Sequence, residues 1–187
     1  DWIAPAFENL KKRLGLKSLD KIEAFDVSHI SGSNVTAYCI VFSDKGPEKK
    51  EYRSMNLKAD KNDDYLALAE AISRRISSLK KRSLPFPGLV LVDGGKGQLN
   101  KVRKELENKN IKTIKLISVS KGENRKEKYD KLHLDSSKKE IELEEMKDIS
   151  RLIQFMRNES HRFALTKHKA RRAKTLIRSD LDEIPLI

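Results

Sequence analysis

Leu89-Val90-Leu91-Val92-Asp93-Gly94-Gly95-Lys96-Gly97 joins four consecutive apolar residues to a carboxylate and then to a glycine-rich turn. Four apolar residues without alternation are the pattern of a strand buried on both faces, the kind that sits inside a sheet covered by helices. The turn closes that strand and opens a helix over Gln98 to about Asn108, and Ile114 to Val119 then reads as a second short buried strand. A strand–helix–strand succession of this kind is an α/β crossover. On the N-terminal side the pattern changes. Lys21 to Val27 (with Ile22, Phe25 and Val27), Thr36 to Phe42 and Lys49 to Leu57 (with Tyr52, Met55 and Leu57) are three strand candidates in a row, and Ser43-Asp44-Lys45-Gly46-Pro47 is a turn signal between the last two. They read as an antiparallel meander.

Helices fill the rest. Pro5 to Leu14 places Phe7, Leu10 and Leu14 at helical spacing with Gly15 as a stop. Asn62-Asp63-Asp64 supplies N-cap chemistry ahead of Leu66, Ala69, Ile72, Ile76 and Leu79 on one face. Lys121 to Lys131 reads as a charged loop. Leu132-His133-Leu134 and Glu140-Ile141-Glu142-Leu143 flank Asp135-Ser136-Ser137-Lys138-Lys139 as a peripheral hairpin. Met146 to Ile177 is one long helix or two, with Ile149, Leu152, Ile153, Met156, Phe163 and Ala164 on one stripe. The order β-β-β-α-β-α-β, then hairpin and helices, is that of an α/β ribonuclease H-like fold: a mixed five-stranded sheet, three antiparallel strands followed by parallel ones, flanked by helices. We expect residues 1–20 to form a connecting helix, 21–178 the main domain and 179–187 the start of a linker.

The 187 residues carry 40 Lys and Arg against 28 Asp and Glu, a formal net charge of +12. No apolar stretch approaches the roughly 18 residues of a membrane span. Asp1-Trp2-Ile3-Ala4-Pro5 is not a signal peptide; without an initiator Met it reads as the start of a fragment of a longer chain. One cysteine, Cys39, is expected in the core and in a reducing cytoplasm. The excess charge calls for a polyanion, nucleic acid or an anionic membrane surface. Residues 157–178 hold eight Lys/Arg and a single acid, Glu159. That is a phosphate-tracking surface by its charge, and it lacks the Trp-rich apolar face of an interfacial helix.

Two strand-end carboxylates stand out. Asp26 lies in Phe25-Asp26-Val27-Ser28-His29, and Asp93 ends the apolar run quoted above. Each alone is also an ordinary turn aspartate. If their strands are parallel neighbours, both emerge at one edge, and two facing carboxylates repel unless a cation sits between them; hard oxygen ligands favour Mg²⁺ or Mn²⁺. Gly94-Gly95-Lys96-Gly97 is neither a Walker A loop nor a complete dinucleotide fingerprint, but it can offer backbone N–H groups and Lys96 to a phosphate, or be only a tight turn. His161 falls on the flank of the helical stripe, where it can face a cleft. His29 can orient a neighbour or cap its strand. His133 and His168 carry no clear signal, no zinc spacing occurs and there is no nucleophile elbow.

Phe25-Asp26-Val27-Ser28-His29, Glu51-Tyr52-Arg53, Asp63-Asp64-Tyr65, Val92-Asp93-Gly94-Gly95-Lys96-Gly97-Gln98-Leu99 and Glu159-Ser160-His161-Arg162-Phe163-Ala164 occur in the order and approximate spacing of the UvrC family. Over nearly its whole length the chain resembles the nuclease subunits of the bacterial UvrABC nucleotide excision repair system. The resemblance implies an RNase H-like endonuclease domain that incises damaged double-stranded DNA on the 5′ side of a lesion. It implies that Asp26, Asp93 and His161 are an Asp-Asp-His catalytic triad around Mg²⁺ or Mn²⁺, one ion or two, with His161 a metal ligand or a proton-transfer group. Asp64 matches a further functional aspartate, although its place at a helix start also suits a cap. Lys96, Arg157, Arg162, Lys169 and Arg172 are expected on DNA phosphates. The UvrB–DNA complex is expected as a partner through family segments outside this chain, as is a following helix-hairpin-helix module. A monomeric, cytoplasmic bacterial protein is implied. Two rival readings stay open: a non-catalytic nucleic-acid-binding module on the same fold, and a nucleotide-binding α/β domain using the glycine-rich turn.

Overall fold

Val35–Ser43 (β2) is buried at every position, because it is paired along both edges and covered on both faces. A computed structural model describes residues 1–29, 35–58, 63–120, 131–135 and 140–182. β1 (Lys21–His29) runs antiparallel to β2, with Lys21 opposite Ser43 and His29 opposite Val35. Along the other edge of β2 lie β3 (Gly46–Pro47) and β4 (Arg53–Leu57) in succession. On its inner side β1 pairs in parallel with β5 (Leu89–Asp93), which pairs in parallel with β6 (Leu116–Ser120). β7 (Lys131–Leu134) then adds antiparallel to β6, and β8 (Glu140–Glu142) antiparallel to β7.

The mixed antiparallel-then-parallel sheet is as the sequence pattern predicts. The hairpin extends it instead of standing apart, so that with the two-residue β3 the sheet has eight strands among the described residues. Pairing with β7 removes the open edge that β6 would otherwise present.

α2 (Asp64–Lys81) and α3 (Lys96–Asn108) pack on one face; α1 (Ile3–Arg13) and α4 (Lys147–Asp182) pack on the other. Alternation along the strands delivers side chains to the two layers. Glu23 of β1 meets Arg75 of α2, whereas Tyr38 of β2 stacks edge-on against Phe163 of α4. Beneath the sheet Arg75 Nε and Nη2 donate to Glu23 Oε1 and Oε2 at 2.9 and 3.2 Å, both side chains being 2% exposed. The Cys39 thiol, in the core as expected, donates to Glu23 Oε1 at 3.2 Å, and burial pushes its pKa well up.

Several boundaries shift for local reasons. Lys49–Glu51 is a 3-10 turn, so the third long strand begins only at Arg53. α3 starts at Lys96, two residues before Gln98. The stretch read as one helix or two is a single helix, which begins at Lys147 and runs through Ile177 to Asp182. Gly15 ends α1 in the left-handed region, φ +66°. The aspartate cap of α2 is a correction: Asp63 occupies the N-cap position without a side-chain bond to the helix. Asn62, the charged loop over 121–130, the hairpin turn over 136–139 and residues 183–187 lie outside the described residues. Among the described residues no helix is long and apolar enough to cross a membrane.

Candidate active site

The parallel register of β1 and β5 sets Ala24 opposite Leu91 and Phe25 opposite Val92. One further step along both strands brings Asp26 beside Asp93 on the face that α4 covers, with neighbouring strands about 4.8 Å apart. β5 stops at Asp93 because Gly94 turns away with φ +133°. That backbone region is open to glycine, and a Cβ there would also sit 3.1 Å from Gln98. The turn delivers Lys96 to the first position of α3, where it is half-buried. Its charge helps lower the pKa of His133, an effect due first to burial of that imidazole.

α4 closes the site from above. His161 Nδ1 lies 3.5 Å from Asp26 Oδ2, and Arg157 Nη2 lies 3.7 Å from Asp93 Oδ1. Four residues apart, the two share one side of the helix. A cavity of about 20 Å³ is walled by Asp26, Asp93, Arg157, Ser160 and His161 over apolar residues of β1, β5 and β6. That is room for one water-sized body. The Val27 N–H donates to Asp26 Oδ1 at 2.9 Å. Burial nevertheless raises the Asp26 pKa; the His161 charge and the Val27 bond oppose this, and the charges of Asp93 and Asp64 add to it.

Asp64 is therefore within electrostatic reach of Asp26. It is the first residue of α2, and its Oδ1 contacts His29 Nε2, so His29 does orient a neighbour. Other polar contacts fix α4 against the sheet. His168 Nε2 and Ser28 Oγ are 2.9 Å apart. Tyr52 donates to Glu159 Oε1 at 3.2 Å, and Arg162 Nε donates to Glu159 Oε2 at 2.9 Å. The Glu159 carboxyl lies below its ordinary value, first through Arg162.

Of the residues singled out from sequence, Asp26, Asp93, His161 and Arg157 meet in one cavity wall, with Asp64 nearby. Arg162 is engaged by Glu159, and Lys169 and Arg172 stand exposed farther along α4. The sequence reading passed over His168 and Ser160. His168 lies two helical turns beyond His161 and so on the same face, a periodicity that marks it for contact with β1. Nothing local singles out Ser160. Among the described residues no three His, Cys, Asp or Glu side chains form a ready metal cage. The donor set is two carboxylates and one imidazole, which suits Mg²⁺ or Mn²⁺ completed by water and phosphate oxygens, since Mg²⁺ is ordinarily held by one or two carboxylates plus substrate phosphates.

A model of the UvrC RNAse H endonuclease domain matches residues 11–165. The chain belongs to this family. UvrABC system protein C of Hydrogenovibrio crunogenus is 40% identical over 165 residues, 88% of this chain and 27% of that protein. The same protein from Saccharophagus degradans is 42% identical over 181 residues, 96% of this chain and 29% of its own length. This UvrC-family chain thus spans less than a third of the relatives it matches. Among solved structures, the catalytic domain of human Endonuclease V is similar at 21% identity and a TM-score of 0.41, over 56% of this chain and 46% of that one. The observed strand order and the family together make the fold RNase H-like.

Proposed function

We propose that this chain is a divalent-metal-dependent endodeoxyribonuclease domain that makes the incision 5′ of a lesion in bacterial nucleotide excision repair. The observation that carries the reading is the convergence of Asp26, Asp93 and His161, from three elements far apart in sequence, on one cavity at the exposed end of two parallel strands. Asp26 and Asp93 would hold Mg²⁺ or Mn²⁺. Such a cation supplies Lewis acidity at the phosphate oxygens.

The chain's own groups do the rest. His161 faces Asp26 through Nδ1, so the carboxylate orients the ring and Nε2 is left to take or give the proton in phosphodiester hydrolysis. Asp64, held by His29, adds negative charge at the rim. Lys96 at the α3 N-terminus and the exposed Lys169 and Arg172 bind backbone phosphates on either side. Damaged duplex DNA is the substrate, presented by a UvrB–DNA complex that segments outside this chain engage, in the cytoplasm and with the domain acting as a monomer.

The test uses the full-length protein bearing Asp93→Ala, with its partner proteins and a duplex carrying one defined lesion. Nicking 5′ of the lesion in Mn²⁺ is expected to fall to background while 3′ nicking persists. Undiminished 5′ nicking refutes the assignment.

A further inference from the structure

α4 offers one nitrogen group to each carboxylate, and the two groups differ in kind. His161 is 57% exposed. Arg157 is 9% exposed, and a guanidinium keeps its charge at any working pH. It is therefore a fixed positive charge beside the same carboxylate that the proposed function assigns to a divalent cation. Asp93 does not need Arg157 to stay soluble in the fold, because its side chain is 42% exposed. Ser160, on the same turn and 5% exposed, puts into the same wall a hydroxyl without a hydrogen-bond partner among the described residues. A buried hydroxyl ordinarily has a partner, and a water or a ligand oxygen in the cavity would supply one here.

We infer that Arg157 is the resident counter-ion of this site, a positioning residue that balances Asp93, opposes a free divalent cation and couples cation binding to the arrival of a phosphate. The physical reason is charge. Two carboxylates alone attract a free divalent ion strongly, and a guanidinium a few ångströms away removes much of that attraction. A phosphodiester brings back negative charge, which the guanidinium and the cation then share. The site thus fills when DNA is present and stays weakly loaded otherwise, which limits stray cleavage. This rests on the metal-dependent reading above.

The experiment is a Mn²⁺ titration of the 187-residue chain by electron paramagnetic resonance of the free ion, with and without a short duplex, and with far-UV circular dichroism as the folding check. Arg157→Met and Arg157→Gln are two neutral variants, so either can be read if the other misfolds. Without DNA both are expected to bind Mn²⁺ about tenfold or more tighter than the wild type. Arg157→Lys, which keeps the charge, is expected within about threefold of it. Duplex is expected to tighten Mn²⁺ binding more in the wild type than in the neutral variants. If Asp93→Asn weakens Mn²⁺ binding but the neutral variants bind no tighter than the wild type, or if DNA tightens all of them equally, the counter-ion role is overturned and the metal reading stands. If Asp93→Asn binds Mn²⁺ as the wild type does, both fall.

Discussion

Removing the guanidinium under the sheet by Arg75→Met tests how the strand that carries Asp26 is held. Glu23 lies three residues before Asp26 on β1 and points to the opposite face, where Arg75 grips it through two bonds of 2.9 and 3.2 Å. Both side chains are 2% exposed. Methionine keeps most of the buried stem volume, so the change is chiefly electrostatic. Among the described residues Glu23 is left with the Cys39 thiol at 3.2 Å. The second acid near Arg75, Glu51 at 3.7 Å, is 36% exposed and keeps Lys21 at 2.6 Å, so its loss of Arg75 costs little. Breaking a buried pair and leaving one charge behind costs about 3–5 kcal/mol. In a domain of this size each kcal/mol moves the midpoint by about 2–4 °C, so a fall of about 10 °C is expected in a thermal melt followed by circular dichroism. Glu23→Leu combined with Arg75→Met leaves no buried charge and should recover most of that loss. A loss below about 1 kcal/mol for Arg75→Met alone, or a double variant as unstable as the single one, would refute the reasoning.

Two other outcomes follow from the site. Burial, aided by Asp93 and Asp64, raises the Asp26 pKa above 3.8; a carboxyl with a raised folded pKa favours the fold below its unfolded value and loses that contribution as pH rises through the folded one. Asp26→Asn should therefore be more stable than the wild type at pH 7, with the gap closing toward pH 3 in urea melts; a gap that widens on acidification contradicts the assignment. Lys169→Glu with Arg172→Glu should weaken duplex binding alike for all sequences and reduce the salt slope by about 2; an unchanged slope in fluorescence anisotropy removes these residues from the DNA surface.

Much of the fold was legible because its signals are local. The unbroken apolar run Leu89 to Val92 did become an interior parallel strand, and the stripe from Ile149 to Ala164 did become the buried side of α4. Misreadings arose where local chemistry serves two outcomes. Lys49 to Leu57 alternates well enough for a strand, yet its first residues form a 3-10 turn. Asp63 and Asp64 look like caps, but Asp63 makes no capping bond and Asp64 turns to His29, because a tertiary partner outcompetes a free backbone N–H. The peripheral hairpin joined the sheet, since nothing within it reveals that the edge of β6 is open.

By itself the amino-acid order determined the element sequence, the strand-end carboxylates, the basic helix and the family to which they belong. Periodicity and turn chemistry act over a few residues and survive without the rest of the chain. The pairing of partners was decided only in three dimensions. That Arg157 meets Asp93 while His161 meets Asp26, that Arg162 is taken up by Glu159, and that Glu23 lies against Arg75 depend on the β1–β5 register and on the height at which α4 crosses the sheet. A one-residue slip in that register would send one of the two aspartates to the opposite face. The charge that composition could only count has become, through packing, two carboxylates each with its own partner from one helix.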